Sequence, residues 1–325
     1  MDIYGYCEQN NSVIRIGDSK DVAEGGVLLR DWIGGCAQSI GIIGENGADL
    51  HAAAICLGDF DGVHLGHARL FELAKSCGRW GVLLLGGHNS RDGVLTTLAE
   101  KLEIAEEYGA DYVVIAEFSE SFAAKSPREF AGLLSEVMKP DAVVVGYDYR
   151  FGYKARGDAA QLKELLAGKA RVIVADAVTD GGEPVKSTKI RGLVKAGALA
   201  DAAQLAGRPY RVRGKIVRGK QNGRKLGFPT ANFDIAENKI LPPDGVYGGK
   251  VGNRRAVINI GKNPTFGAEK RTFEVHVLDF DGDLYGKVLT AEVTEKIRGE
   301  IKFENTEDLK RQIENDVCAV RHGKE

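Results

Sequence analysis

The period of hydrophobicity changes once along this chain, and that change constrains the fold more than any other feature. From about residue 53, short apolar runs alternate with segments of helical periodicity. The runs are AAAICL (52–57), VLLL (82–85), YVVIA (112–116), AVVVG (142–146) and RVIVA (171–175). Runs apolar at every position belong to strands buried on both faces, so this half reads as an open α/β domain, a parallel sheet covered by helices. Beyond LAGRPY (205–210) polar and apolar residues alternate between turn glycines, in RVRGKIVRG, AVINIG, TFEVHVLDFDG and KVLTAEV. That pattern describes a compact antiparallel β-barrel. The expected domains are 1–206 and 207–325, and 325 residues suit two cores better than one.

Local signals refine the outline. HARLFELAKSCG (67–78) reads as the helix after the first strand. Thr97 and Glu100 predict a capping box for a helix through Tyr108. Ser126, Pro127 and Glu129 supply an N-cap, a proline at the first helical position and a glutamate three after the cap. One terminal helix closes the chain. Thr306 is expected to cap it, Glu307 and Asp308 suit its positive end, and Leu309, Ile313, Val317 and Val320 form its apolar stripe. Residues 1–50 are short glycine-broken segments, read as strands of the first domain.

Net charge is −2, from 44 basic and 46 acidic residues, which argues against a general nucleic-acid or membrane-surface role. Cys7, Cys36, Cys56, Cys77 and Cys318 are odd in number and scattered, as expected of free thiols in a reducing cytoplasm. No apolar run approaches the roughly 20 residues that span a bilayer. The start, MDIYGYCEQNN, lacks the basic and apolar regions of a signal peptide. A cytoplasmic protein acting on small molecules, with homo-oligomerisation left open, is the expectation.

GDFDGVHLGH (58–67) lies between the first clear strand and its helix. Ligands of parallel α/β domains bind beyond the carboxyl ends of the strands. Gly58, Gly62 and Gly66 permit close backbone approach, and a helix N-terminus favours phosphate. His64 and His67 could donate to phosphoryl oxygens and stabilise charge on a departing pyrophosphate. Two other readings stand beside this one: an ordinary turn with structural histidines, and a His-x-x-His metal pair with Asp59 or Asp61 as a further ligand. In KSTKIR (186–191), Ser187 and Thr188 would open a helix with Arg191 one turn on, which makes either a phosphate clamp or a simple cap.

RGKQNGRKLGFPTANFD (218–234) has glycines at 219, 223 and 227, with Lys220, Arg224 and Lys225 among them. There is no G-K-[ST], so it is not a Walker loop. A glycine loop of this kind could close over anionic phosphates. Thr230 and Asn232 project from one face of a strand, and their oxygens suit Mg²⁺ held jointly with a nucleotide. The rival reading is a hairpin with a polar face. In RTFEVHVLDFDG (271–282), Thr272, Glu274, His276 and Leu278 share one face, and Phe273, Val275 and Val277 share the other. Glu274 is either a solvated carboxylate or, at the barrel mouth, a base for activating a hydroxyl.

GDFDGVHLGH resembles the H-x-G-H nucleotidyltransferases, specifically the Rossmann-like branch that transfers adenylate to FMN. GYDYRFG (146–152) and KSTKIR resemble that family's G-x-D-F-x-F-G and S-S-T-x-I-R elements. The resemblance implies catalytic roles for His64 and His67. It implies ATP or phosphate contacts for Gly58, Phe60, Gly66, Asp148, Ser187, Thr188 and Arg191. The family usually has Asn where Asp59 stands and Ser where Lys186 stands. It carries Phe-x-Pro-His-Pro where LGGHNS (85–90) keeps only His88, with Leu85, Gly87 and Asn89 in place of the phenylalanine and prolines. The second half resembles riboflavin kinase through GKIVRG, GFPTANF, LPPDGVY, NIGKNPTF, FEVHVLDF, LYG and IRGEIKFENTEDLKRQIENDV. That likeness implies that Gly219, Gly227, Thr230 and Asn232 hold Mg–ATP, that Glu274 deprotonates the ribityl 5′-hydroxyl, and that Arg298 lies on the flavin-binding segment. The two halves in this order resemble the bacterial bifunctional riboflavin kinase/FMN adenylyltransferases. The implied substrates are riboflavin, FMN and ATP with Mg²⁺. The alternatives are a riboflavin kinase with a vestigial adenylyltransferase domain, and a flavin-binding regulator without catalysis.

Overall fold

The computed structural model describes residues 1–7, 12–18, 53–86, 92–219, 223, 226–265 and 268–322. The chain forms two compact units, Met1–Arg91 with Thr96–Lys186, and Asp92–Leu95 with Ser187–Glu325.

The first unit is built on a seven-stranded sheet. Its strands are β1 (Asp2–Cys7), β2 (Ser12–Asp18), β3 (Ala53–Leu57), β4 (Arg79–Gly86), β5 (Tyr112–Glu117), β6 (Ala142–Gly146) and β7 (Arg171–Ala175). They lie in the order β2-β1-β5-β4-β3-β6-β7. Every neighbouring pair is parallel except β1–β2, so the sheet is Rossmann-like with one antiparallel edge strand. Consecutive residues feed two separate cores. Ile55, Leu57, Val114, Val143 and Val145 pack on one face, while Ala54, Cys56, Val113, Ile115 and Val144 pack on the other. This two-sided burial is why the strands read as unbroken apolar runs. The N-terminal strands expected from residues 1–50 are β1 and β2; residues 19–52 lie outside the described residues.

Helices α1 (Leu65–Lys75), α2 (Leu98–Glu107), α3 (Glu120–Ala123), α4 (Pro127–Gly132) and α5 (Ala159–Leu165) connect these strands. The capping boxes expected at Thr97–Glu100 and Ser126–Glu129 are both formed, the second with Pro127 in the first turn. Helix α1 starts two residues before HARLFELAKSCG, because His64 is extended and Leu65 already turns helical.

In the second unit, α6 (Ser187–Ala196) and α7 (Leu199–Ala206) precede six strands. These are β8 (Tyr210–Val217), β9 (Ala231–Ile235), β10 (Gly245–Val251), β11 (Arg254–Thr265), β12 (Ala268–Val277) and β13 (Val288–Arg298). They close into an antiparallel barrel in the order β8-β9-β12-β11-β10-β13. Val212, Ile216, Phe233, Tyr247, Ile258, Ile260, Phe273, Val275 and Val293 are buried, the inward half of each alternation. Helix α8 (Thr306–His322) covers one stretch of the outer wall, where Val317 and Val320 pack with Val246, Val257 and Leu278. Its cap is Asn305 rather than Thr306: the Asn305 side-chain oxygen accepts from Asp308 N–H at 2.8 Å, while Thr306 is already in the first turn.

Candidate active sites

The histidine turn of the first unit is a strained, tightly held loop. Val63 N–H donates to Phe60 C=O at 3.3 Å. Phe60 (φ 53°), Gly62 (φ 78°) and Val63 (φ 35°) all lie in the left-handed region. A β-branched residue there is an outlier, and such strain persists only where surrounding structure over-determines it. The surroundings do so here. Phe60 and Val63 are buried, and Asp61 is 2% exposed. The Asp61 carboxylate accepts from Thr96 N–H at 2.9 Å and from Thr96 Oγ1 at 3.3 Å. Thr96 Oγ1 in turn accepts from Gly62 N–H at 2.9 Å.

His64 is the N-cap of α1 and His67 lies in its first turn. The two rings stack, with centroids 3.8 Å apart and planes 17° from parallel. Phe60 buttresses His67 at 5.1 Å and continues into the core through Phe71 at 5.4 Å. Gly66 leaves room for the His64 ring, since a Cβ there would lie 3.0 Å from it and the ring would have to shift. The His64 side chain makes no capping bond, so helix α1 keeps the dipole end that attracts an anion.

The aspartates expected as further metal ligands have other employment. Asp61 is turned onto Thr96. Asp59 faces Lys101, whose Nζ donates to the Asp59 carbonyl at 2.5 Å and sits 3.6 Å from its carboxylate. Among the described residues there is no group of three or more His, Cys, Asp or Glu arranged to hold a metal ion.

Asp148 lies in the loop after β6, half-exposed, with its carboxylate 3.8 Å from Lys186 Nζ. Asp59 and Lys186, both changes of residue type relative to the family pattern, each therefore face an opposite charge. Tyr149 of the same loop stacks on Phe151 at 5.8 Å, and burial holds its phenol far above the usual range. Ser187 and Thr188 open helix α6 with Arg191 one turn on, in the second unit. His88 lies outside the described residues.

The barrel assembles its polar side chains on the outer wall. Glu274 is opposite Asn232 on β9 and Asn259 on β11. Phe273 and Val275 point the other way, into the packed interior, so Glu274 is on the outside of the barrel together with Asn232. Gly219 and Gly223 lie against this row. A Cβ on Gly219 would fall 2.6 Å from Asn232 Cγ, and one on Gly223 would fall 3.3 Å from Thr230 Oγ1. Phe228 N–H closes the loop onto Gly223 C=O at 2.8 Å, and Gly227 has φ 91°. Lys220, Arg224 and Lys225 lie outside the described residues.

Arg298, at the end of β13, grips helix α8. Its Nε and Nη2 donate to the two oxygens of Asp316 at 2.9 and 2.8 Å, and its Nη1 donates to Gly299 C=O at 3.0 Å. Asp316 is 3% exposed and also accepts from Gln312 at 3.0 Å. A paired, multiply hydrogen-bonded carboxylate is what such burial requires. Sequence reasoning missed Thr96, Lys101 and Asp316. Asp316 alone left a trace, as a carboxylate one position before Val317 on the helix's apolar stripe.

Comparison with known proteins covers both units. A model of FAD synthetase matches residues 47–189, and a model of riboflavin kinase matches residues 206–323. Proteins named bifunctional riboflavin kinase/FMN adenylyltransferase are similar over most of the chain. That of Listeria monocytogenes is 34% identical over 82% of this chain and 91% of its own length. That of Escherichia coli K12 is 33% identical over 86% and 96%, and that of Bacillus subtilis 32% over 81% and 90%. Among solved structures, that of a macrolide-efflux protein from Streptococcus pneumoniae superposes with a TM-score of 0.74 at 29% identity, covering 85% of this chain and 96% of that one. Among the described residues no helix is long and apolar enough to cross a membrane.

Proposed function

The chain belongs to the family of bifunctional riboflavin kinase/FMN adenylyltransferases, and from that premise we propose which residues carry its two reactions. It phosphorylates riboflavin to FMN and adenylates FMN to FAD. The kinase reaction is assigned to residues 207–325 and adenylyl transfer to residues 1–206. In the first reaction the ribityl 5′-oxygen attacks the γ-phosphorus of ATP, the bond to the β-phosphate oxygen breaks, and ADP leaves. Glu274 takes the hydroxyl proton, a role worth about 10²–10⁴-fold in rate. Thr230 and Asn232 present a hydroxyl and an amide oxygen, donors that fit Mg²⁺ carried with the nucleotide. The metal would neutralise charge on the phosphates, and Gly219 and Gly227 let the loop close on them. Arg298 sets the flavin-binding segment, its guanidinium tying β13 to α8. The observation that carries this half is the cross-strand pair Asn232–Glu274.

In the second reaction an FMN phosphate oxygen attacks the α-phosphorus of ATP, the α–β bridge breaks, and pyrophosphate leaves. His64 and His67, with Gly58, Phe60 and Gly66 shaping their turn, stabilise the departing charge at the start of α1. Asp148, Ser187, Thr188 and Arg191 are assigned to ATP and phosphate by their sequence elements. Neither reaction needs a covalent enzyme intermediate, so positioning and charge are expected to carry both. The free thiols of Cys56, Cys77 and Cys318 and the near-neutral charge support a cytoplasmic enzyme working without nucleic acid or membrane.

One assay tests the reading. Purified protein is incubated with riboflavin, ATP and Mg²⁺, and the flavins are resolved by chromatography. FAD is expected. FMN without FAD would leave a kinase with a vestigial first domain, and unchanged riboflavin would leave a binding protein. His67→Ala should stop FAD formation while FMN still accumulates. Glu274→Ala should stop FMN formation while supplied FMN is still adenylated.

A further inference from the structure

His276 lies two residues beyond Glu274 on β12 and on the same face. The pairing of β9 with β12 runs Asn232↔Glu274 and Ala231↔Val275, and there the ladder ends. One further step would set Thr230 opposite His276. Backbone pairing does not continue into Pro229, which has no N–H to give. The histidine side chain takes over at this point. Its Nδ1 is 2.8 Å from Pro229 C=O, and a carbonyl only accepts, so Nδ1 carries the proton. Its ring meets Phe228 edge-on, centroids 5.7 Å apart at 87°. From the other side, Phe228 N–H is held by Gly223 C=O. The residues immediately before Thr230 are thus pinned by one side chain at the point where the ladder gives out.

We propose that His276 is a positioning residue of the kinase, whose Nδ1–H fixes the Pro229 carbonyl and so holds Thr230 and Asn232 in place for the nucleotide. The inference rests on the assignment of Thr230 and Asn232 to Mg–ATP. Because His276 acts on the nucleotide side, its loss should appear in KM for ATP and not in KM for riboflavin. A lost hydrogen bond of ordinary strength corresponds to about three- to tenfold.

The test compares His276→Ala, His276→Phe and His276→Asn in the full chain, with KM for ATP and for riboflavin measured separately and adenylation of supplied FMN as a control. Phenylalanine keeps the ring against Phe228 without the donor, and asparagine keeps a donor near Nδ1 without the ring. The Ala and Phe variants should raise KM for ATP about three- to tenfold, with KM for riboflavin and FAD formation from FMN unchanged. Asn should restore KM for ATP toward the parent value. If the Ala variant fails to fold, the Phe and Asn pair decides alone. An unchanged KM for ATP in the Phe variant, or an Asn variant as impaired as Phe, overturns the inference and leaves the kinase assignment standing. No FMN from the parent protein overturns both.

Discussion

Asp61 offers a direct way to separate support from chemistry in the histidine turn. Its carboxylate holds Thr96 N–H at 2.9 Å and Thr96 Oγ1 at 3.3 Å. Both partners are buried, with Asp61 2% and Thr96 8% exposed. Asp61→Ala removes the acceptor and strands a buried N–H, a cost of about 1–3 kcal/mol. For a unit of this size each kcal/mol lowers the unfolding midpoint by about 2–4 °C, so the first unit should melt roughly 2–12 °C lower. The same loss releases Val63 and Phe60 from their left-handed conformations, and adenylation of FMN should fall with it. Asp61→Asn keeps Oδ1 as an acceptor for the same two donors. It should cost no more than about 1 kcal/mol and retain FAD formation within a few-fold. The assays are thermal unfolding by circular dichroism and chromatography of FAD made from supplied FMN. If Asp61→Asn abolished adenylation with an unchanged melting curve, the reasoning would be refuted, because only a group acting on reactants or metal needs the charge itself.

Gly219→Ala should cut FMN formation by about 10²-fold, since its Cβ would fall 2.6 Å from Asn232 Cγ and displace the amide. Conversion of supplied FMN to FAD should not change, and an unaffected kinase would show that the loop does not bear on Asn232 in turnover. In the α4 cap, Glu129 accepts from Ser126 Oγ and Ser126 N–H, both at 2.7 Å, bonds that hold its carboxyl below the usual range. A depressed carboxylate stabilises the fold above its unfolded pKa and loses that contribution as pH falls through the folded value. Ser126→Ala should therefore move the Glu129 titration upward, read by NMR; an unmoved midpoint would exclude the hydroxyl as its cause.

The sheet strands were legible because burial on both faces leaves a signature that needs no partner: every residue of β3 or β6 must be apolar. The orientation of Glu274 was legible for a similar local reason, since alternation along β12 separates it from Phe273 and Val275. Its meeting with Asn232 was not, because β9 and β12 are neighbours in the barrel but not in sequence. Asp61 was unreadable for a further reason. Its partner is 35 residues away and half of the contact is a backbone N–H, which carries no residue identity. The choice between Thr306 and Asn305 as cap turned on geometry alone, both residue types being good caps. Arg298 was recognised as belonging to its segment, but its embrace of Asp316 depends on where α8 lies against β13.

That embrace has a consequence for the order in which the protein is made. Chains emerge from the amino end and domains fold as units, so the sheet can complete itself while the barrel is still being synthesised. The barrel cannot do the same at the end of its last strand. Arg298 must wait for Asp316, and the outer wall at Val246, Val257 and Leu278 must wait for Val317 and Val320. Helix α8 therefore completes the barrel after its last strand has been made, and a chain truncated before Asp316 would keep its barrel strands and lose the partner of the cation that ends them.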